Sequence, residues 1–85
     1  MTNQPRNLVG SQVRRIRCNA GLSQPAMAEK CQRLGWDVGR DAIAKIEGLS
    51  RCVSDSELVF LARVLNCALL DLYPENVKAS LRRKS

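Results

Sequence analysis

The chain has 85 residues with 14 Lys/Arg against 8 Asp/Glu, a net charge of +6, 45% hydrophobic residues, 4% aromatic ones and no histidine. A chain this short is expected to form one small, largely aliphatic core, with no separate sensor or catalytic domain. Without histidine the commonest general base, the Ser-His and Cys-His nucleophile pairs and every imidazole metal site are excluded.

Hydrophobic spacing is helical along the chain. Val9, Val13, Ile16 and Ala20 recur at i, i+4, i+7 and i+11, which predicts a first helix closed by Gly21. Ser23 reads as the N-cap of a second helix that tolerates Pro25 in its first turn. Met27, Ala28, Cys31 and Leu34 form its apolar stripe, and Gly35 stops it. Residues 35–39 are a glycine-bounded connection. A short third helix from about Arg40 to Gly48 buries Ile43 and Ile46, and residues 49–53 form a loop.

Ser54-Asp55-Ser56-Glu57 is a capping box, with Val53 and Leu58 placed as a hydrophobic staple around it. Leu58, Leu61, Ala62 and Leu65 line the inner face of a fourth helix that ends near Asn66. Ala68 to Tyr73 predicts a fifth short helix stopped by Pro74. No run alternates with period two, so no sheet is expected. The expected architecture is a compact all-α, five-helix domain over residues 1–73, followed by a basic tail, 74–85, that is a frayed helix or disordered.

Charge is segregated along the sequence. Residues 1–53 hold nine Lys/Arg against four acids, residues 54–77 one against four, and residues 78–85 add four cations. Ten of the fourteen cations are Arg, whose planar fork pairs with phosphate or guanine. This pattern points to one surface facing a polyanion. The longest apolar run, Leu58 to Ala62, is far short of the roughly 20 residues that span a bilayer. Residues 1–10 lack a signal-peptide stretch, so a cytoplasmic protein without a membrane segment is expected. Cys18, Cys31, Cys52 and Cys67 lie 13, 21 and 15 positions apart. They contain no C-x-x-C knuckle, so free, buried or half-buried thiols are expected rather than a metal site or disulfides.

The order Arg17…Gly21-Leu22-Ser23-Gln24…Ala28…Ile43…Ile46-Glu47…Arg51…Ser54 resembles the Xre/Cro-type helix-turn-helix family of DNA-binding regulators, over about residues 7–73. The physics agrees with the resemblance. Ala28 is small where two helices must approach closely, and Ile43 and Ile46 anchor the third helix with Arg40, Asp41, Ala44 and Lys45 on its outer side. A helix so presented fits the roughly 12 Å major groove.

The resemblance implies a sequence-specific transcriptional regulator that binds double-stranded DNA as a homodimer, with no cofactor, no small-molecule effector and no enzymatic activity. Arg40, Asp41, Ala44 and Lys45 are implied to read bases, and Ser23, Gln24 and Arg51 to hold phosphates. Arg17 and Glu47 are implied to form a structural ion pair inside the domain. A second class of function is a protein-interaction or antitoxin-like module on the same fold. The charged outer face of the third helix separates the two and favours nucleic acid.

Three departures from the family pattern stand out. Ala28 and Ile43 are fifteen positions apart, more than the compact motif spans, so the second helix is longer or the turn wider. Gly39 replaces the usual Ser or Thr before the third helix. The glycine usual two residues after Glu47 is Leu49, with Gly48 one place earlier.

Overall fold

The first helix, α1 (Gly10–Asn19), turns Val13 and Arg17 inward and leaves Arg14, Arg15 and Cys18 outside, as its four-residue spacing requires. The structure, a computed structural model, describes residues 7–82; residues 1–6 and 83–85, and with them the last three residues of the expected tail, lie outside the described residues. Gly21 ends the helix with φ +74°, a left-handed conformation natural to glycine. There the Gly21 and Leu22 N–H groups return to the Cys18 and Arg17 carbonyls at 3.0 and 3.1 Å.

The second helix, α2 (Gln24–Arg33), starts under Ser23, whose Oγ accepts from the Ala26 N–H at 3.1 Å. It ends at Gly35, left-handed at φ +95°. The extra length noted in the sequence therefore includes a wide turn, residues 34–39, between α2 and α3 (Arg40–Glu47). This turn is anchored rather than loose. The Trp36 N–H donates to the Cys31 carbonyl at 2.9 Å, Gln32 Nε2 donates to the Val38 carbonyl at 2.8 Å, and Trp36 and Val38 are buried.

The fourth helix, α4 (Asp55–Leu65), carries the full capping box: Ser54 Oγ accepts from the Glu57 N–H and Glu57 Oε1 accepts from the Ser54 N–H. Asn66 closes it in a left-handed conformation, φ +54°. Here the structure corrects the expectation of a helix over 68–73. Residues Leu69–Leu72 form a single 3₁₀ turn. Four residues are too few to pay for an α-helical nucleus, and Pro74 has no N–H to extend the turn. The Pro74 carbonyl instead accepts from Val77 and Lys78, at 3.0 Å each, and starts α5 (Glu75–Arg82). Five α-helices and no strand are present among the described residues.

Met27, Cys31, Ile43, Ile46, Leu61 and Leu72 are fully buried and form the centre of the core. Burying each large aliphatic side chain is worth roughly 1.5–3 kcal/mol. α1 and α2 pack on both α3 and α4, and the 3₁₀ turn packs on α1 and α4. Two expected core residues lie outside: Ala20 and Leu34 are exposed, each at a helix C-cap where the regular periodicity has already ended. The core is also less aliphatic than composition suggests, because buried Trp36 stacks on Phe60 with ring centroids 5.5 Å apart. No helix among the described residues is long and apolar enough to cross a membrane.

Candidate nucleic-acid interface

α3 has two chemically opposite sides. Ile43 and Ile46 are 0% exposed and Glu47 is buried, whereas Arg40, Asp41, Ala44 and Lys45 are all exposed. Two hollows flank the exposed side. One is lined by Gly39, Arg40, Asp41, Ala42, Lys45 and Arg51. The other joins Ala44 and Gly48 to Arg14, Arg17, Gln24 and Glu47. The helix ridge thus runs between two grooves that each contain arginine, with the start of α2 beside one of them.

Arg17 and Glu47 meet beneath that ridge. Arg17 Nε donates to Glu47 Oε2, Nη2 donates to Oε1 at 3.0 Å, and Nη1 donates to the Leu22 carbonyl at 2.7 Å. Both side chains are at most 10% exposed. The hydrogen bond to Glu47 raises the Arg17 pKa against the opposing effect of burial, so the guanidinium stays charged. Gln24 joins the same group, its Nε2 donating to Glu47 Oε1 at 3.0 Å. Three segments are therefore tied at one carboxylate: the end of α1, the start of α2 and the end of α3. The second N–H of Gln24 Nε2 and the hydroxyl hydrogen of Ser23 are the groups these two residues have left for an anion.

Arg51 lines the hollow beside Arg40 and Lys45, but its guanidinium already has a partner. Nη2 donates to Glu57 Oε2 at 2.8 Å and Nη1 donates to Oε1 at 3.3 Å. Burial pushes the Glu57 carboxyl up, but hydrogen bonds from Arg51 and from the Ser54 N–H outweigh it, and the pKa ends below the ordinary value. Sequence spacing placed Arg51 in the loop but gave no sign of this bidentate pairing, which needs the turn of the chain into α4.

Leu49 occupies the place where the family has glycine, and it adopts the left-handed φ of +63° that glycine would take there. Its side chain lies over Gly10. A Cβ on Gly10 would sit 2.6 Å from Leu49 Cδ2 and 2.2 Å from the Ile46 carbonyl oxygen. Asn7, which sequence reasoning passed over, is buried at the same junction. The available signal was an Asn two residues before an apolar helical run, a capping pattern.

Of the four cysteines, Cys31 is buried and Cys67 half-buried, but Cys18 and Cys52 are exposed, which corrects the expectation that all four are buried or half-buried. Cys18 falls on the outer side of α1 and Cys52 in the loop before α4. Burial pushes the Cys31 thiol up to about 11 and raises that of Cys67 as well.

No protein-family model and no curated protein matches the chain. Solved structures do. The restriction-modification controller protein C.AhdI from Aeromonas hydrophila is 26% identical, with a TM-score of 0.70 over 85% of this chain and 100% of that one. The DNA-binding domain of BldD is also 26% identical, with a TM-score of 0.69 over 87% of this chain and 100% of the other. A hypothetical transcription factor, NHTF from Neisseria, is 23% identical, with a TM-score of 0.71 over 91% and 84% of the two chains. By their names these neighbours are a controller protein, a DNA-binding domain and a transcription factor. The chain shares the all-helical fold of these neighbours, with α2 and α3 in the place of the helix-turn-helix.

Proposed function

We propose that this chain is a sequence-specific DNA-binding transcription regulator that lays α3 in the major groove. The observation that carries the reading is the two-sided character of α3. Ile43 and Ile46 are wholly buried, while Arg40, Asp41, Ala44 and Lys45 stand clear of the domain between two arginine-lined hollows. On this reading Arg40 donates to guanine O6 and N7, Asp41 accepts from cytosine N4, Ala44 touches a thymine methyl and Lys45 serves the next turn. Ser23 and Gln24, at the positive end of α2, bind one phosphate, helped by the free N–H groups of that first turn. Arg51 meets the opposite backbone with the guanidinium edge that Glu57 leaves uncovered.

Residues 1–73 form the DNA-binding domain and residues 74–85 a basic extension of it. The protein acts in the cytoplasm as a homodimer on a near-palindromic site, without cofactor, effector or enzymatic activity. Exposed Val59, Leu69 and Leu70 supply apolar surface for the second copy. Selection from a random DNA pool tests the whole reading. It should yield a site with two half-sites about one helical turn, roughly 34 Å, apart. Affinity for that site should fall linearly on logarithmic axes as salt rises. A pool that shows no enrichment, or binding indifferent to salt, would contradict it.

A further inference from the structure

Asn7 is 6% exposed, and each direction of its amide has a partner. Oδ1 accepts from the Val9 and Gly10 N–H groups at 3.0 and 2.8 Å, which starts α1. Nδ2 donates to the Ile46 carbonyl at 2.9 Å and to the Arg51 carbonyl at 3.0 Å, 39 and 44 positions further along the chain. Starting a helix needs only the acceptor, and a serine supplies that. The two donor bonds do something else: they take up a carbonyl in the last turn of α3 and fix the main chain of the loop that follows.

Independent features meet at the same place. Gly10 lets α1 press directly on the Ile46 carbonyl, where any Cβ would collide. Within the loop, Leu49 holds a left-handed conformation that branched side chains disfavour, and the Ile46 carbonyl that accepts from its N–H also accepts from Asn7. Arg51 is then held at both ends, its carbonyl by Asn7 and its guanidinium by Glu57, at the rim of the hollow it shares with Arg40 and Lys45.

We propose that Asn7 is a positioning residue for DNA contact: by binding the Ile46 and Arg51 carbonyls it sets the loop after α3 so that Arg51 reaches the sugar-phosphate backbone while α3 lies in the groove. The inference rests on the DNA-binding reading above. Asn7→Ser separates the two halves of the side chain, since a hydroxyl caps α1 locally but is too short to reach either carbonyl.

The test is a double-mutant cycle of wild type, N7S, R51A and N7S/R51A. Each protein is measured by fluorescence anisotropy on the selected DNA site across a salt series, with thermal unfolding alongside. N7S should weaken binding about fivefold, the coupling expected within one hydrogen-bond network, and should flatten the salt slope by up to about one unit. In the R51A background it should change affinity by less than about 1.5-fold, because the cation it positions is gone. An equal loss with and without Arg51, or no loss at all, overturns the proposal. If N7S does not fold, Asn7→Asp, which keeps the acceptor but faces both carbonyls with a carboxylate, takes its place in the same cycle. Failure of both to fold would assign Asn7 to the fold alone and overturn the proposal too. A wild type without salt-sensitive binding would refute the DNA reading itself, a result distinct from wild-type binding with additive variants.

Discussion

Glu47 is the acceptor at which three segments meet, so removing it strands more than one donor. Glu47→Ala should destabilise the domain by roughly 3–5 kcal/mol, because it leaves the Arg17 guanidinium buried without its counter-charge. Replacing Arg17 and Glu47 together with apolar residues of similar volume should cost less than either single change. Denaturant unfolding of all four proteins checks this, and plain additivity would contradict the pairing. Gly10→Ala should cost roughly 1–3 kcal/mol, since backbone has to move to admit the methyl; circular dichroism during the same titration shows whether the helices persist. The partnership of Arg17 with Glu47 was legible through the family resemblance, whereas the junction at Gly10 was not. A close approach between α1 and α3 leaves no local trace beyond a glycine at a helix start, where glycine is unremarkable.

α4 shows how a cap and an ion pair share one carboxylate. Glu57 completes the capping box and also holds Arg51. Its folded pKa is lowered, so its contribution to stability is present above the ordinary value of 4.5 and is lost as pH falls through the lowered one. Urea unfolding from neutral pH down past 4.5 should therefore show wild type losing more stability than Glu57→Gln, which has no proton to take up there. Parallel losses would exclude the linkage. The turn between α2 and α3 depends on Trp36 in a comparable way. Trp36→Ala should cost about 3 kcal/mol or more, through lost burial and lost stacking on Phe60.

The helices α1 to α4 were readable because each combines an apolar stripe with a cap or a glycine stop. The segment 68–73 was misread for a physical reason. Three leucines in four residues resemble a helical face, but Pro74 leaves room for only one tight turn. The wide turn was visible as excess spacing between Ala28 and Ile43, yet nothing in the sequence said that Trp36 would fill it from inside.

The fold sorts charge as the chain does. Cations of α1, of α3 and of the loop after α3 come together around the exposed side of one helix, while the acids of α4 either lie in its first turn or bind Arg51. On the proposed reading, such a molecule holds DNA through phosphates that carry no sequence and reads it through a few base edges. Gln24→Ala should accordingly weaken binding to a selected site and to a scrambled one by similar factors. The most direct test of the account compares Arg40→Ala with wild type by fluorescence anisotropy on those two DNAs. The account predicts a loss of roughly 1–3 kcal/mol on the selected site, a relaxed preference at one base pair per half-site and little change on the scrambled DNA. An equal loss on both would place Arg40 on the phosphates and contradict the assignment of α3 as the helix that reads the bases.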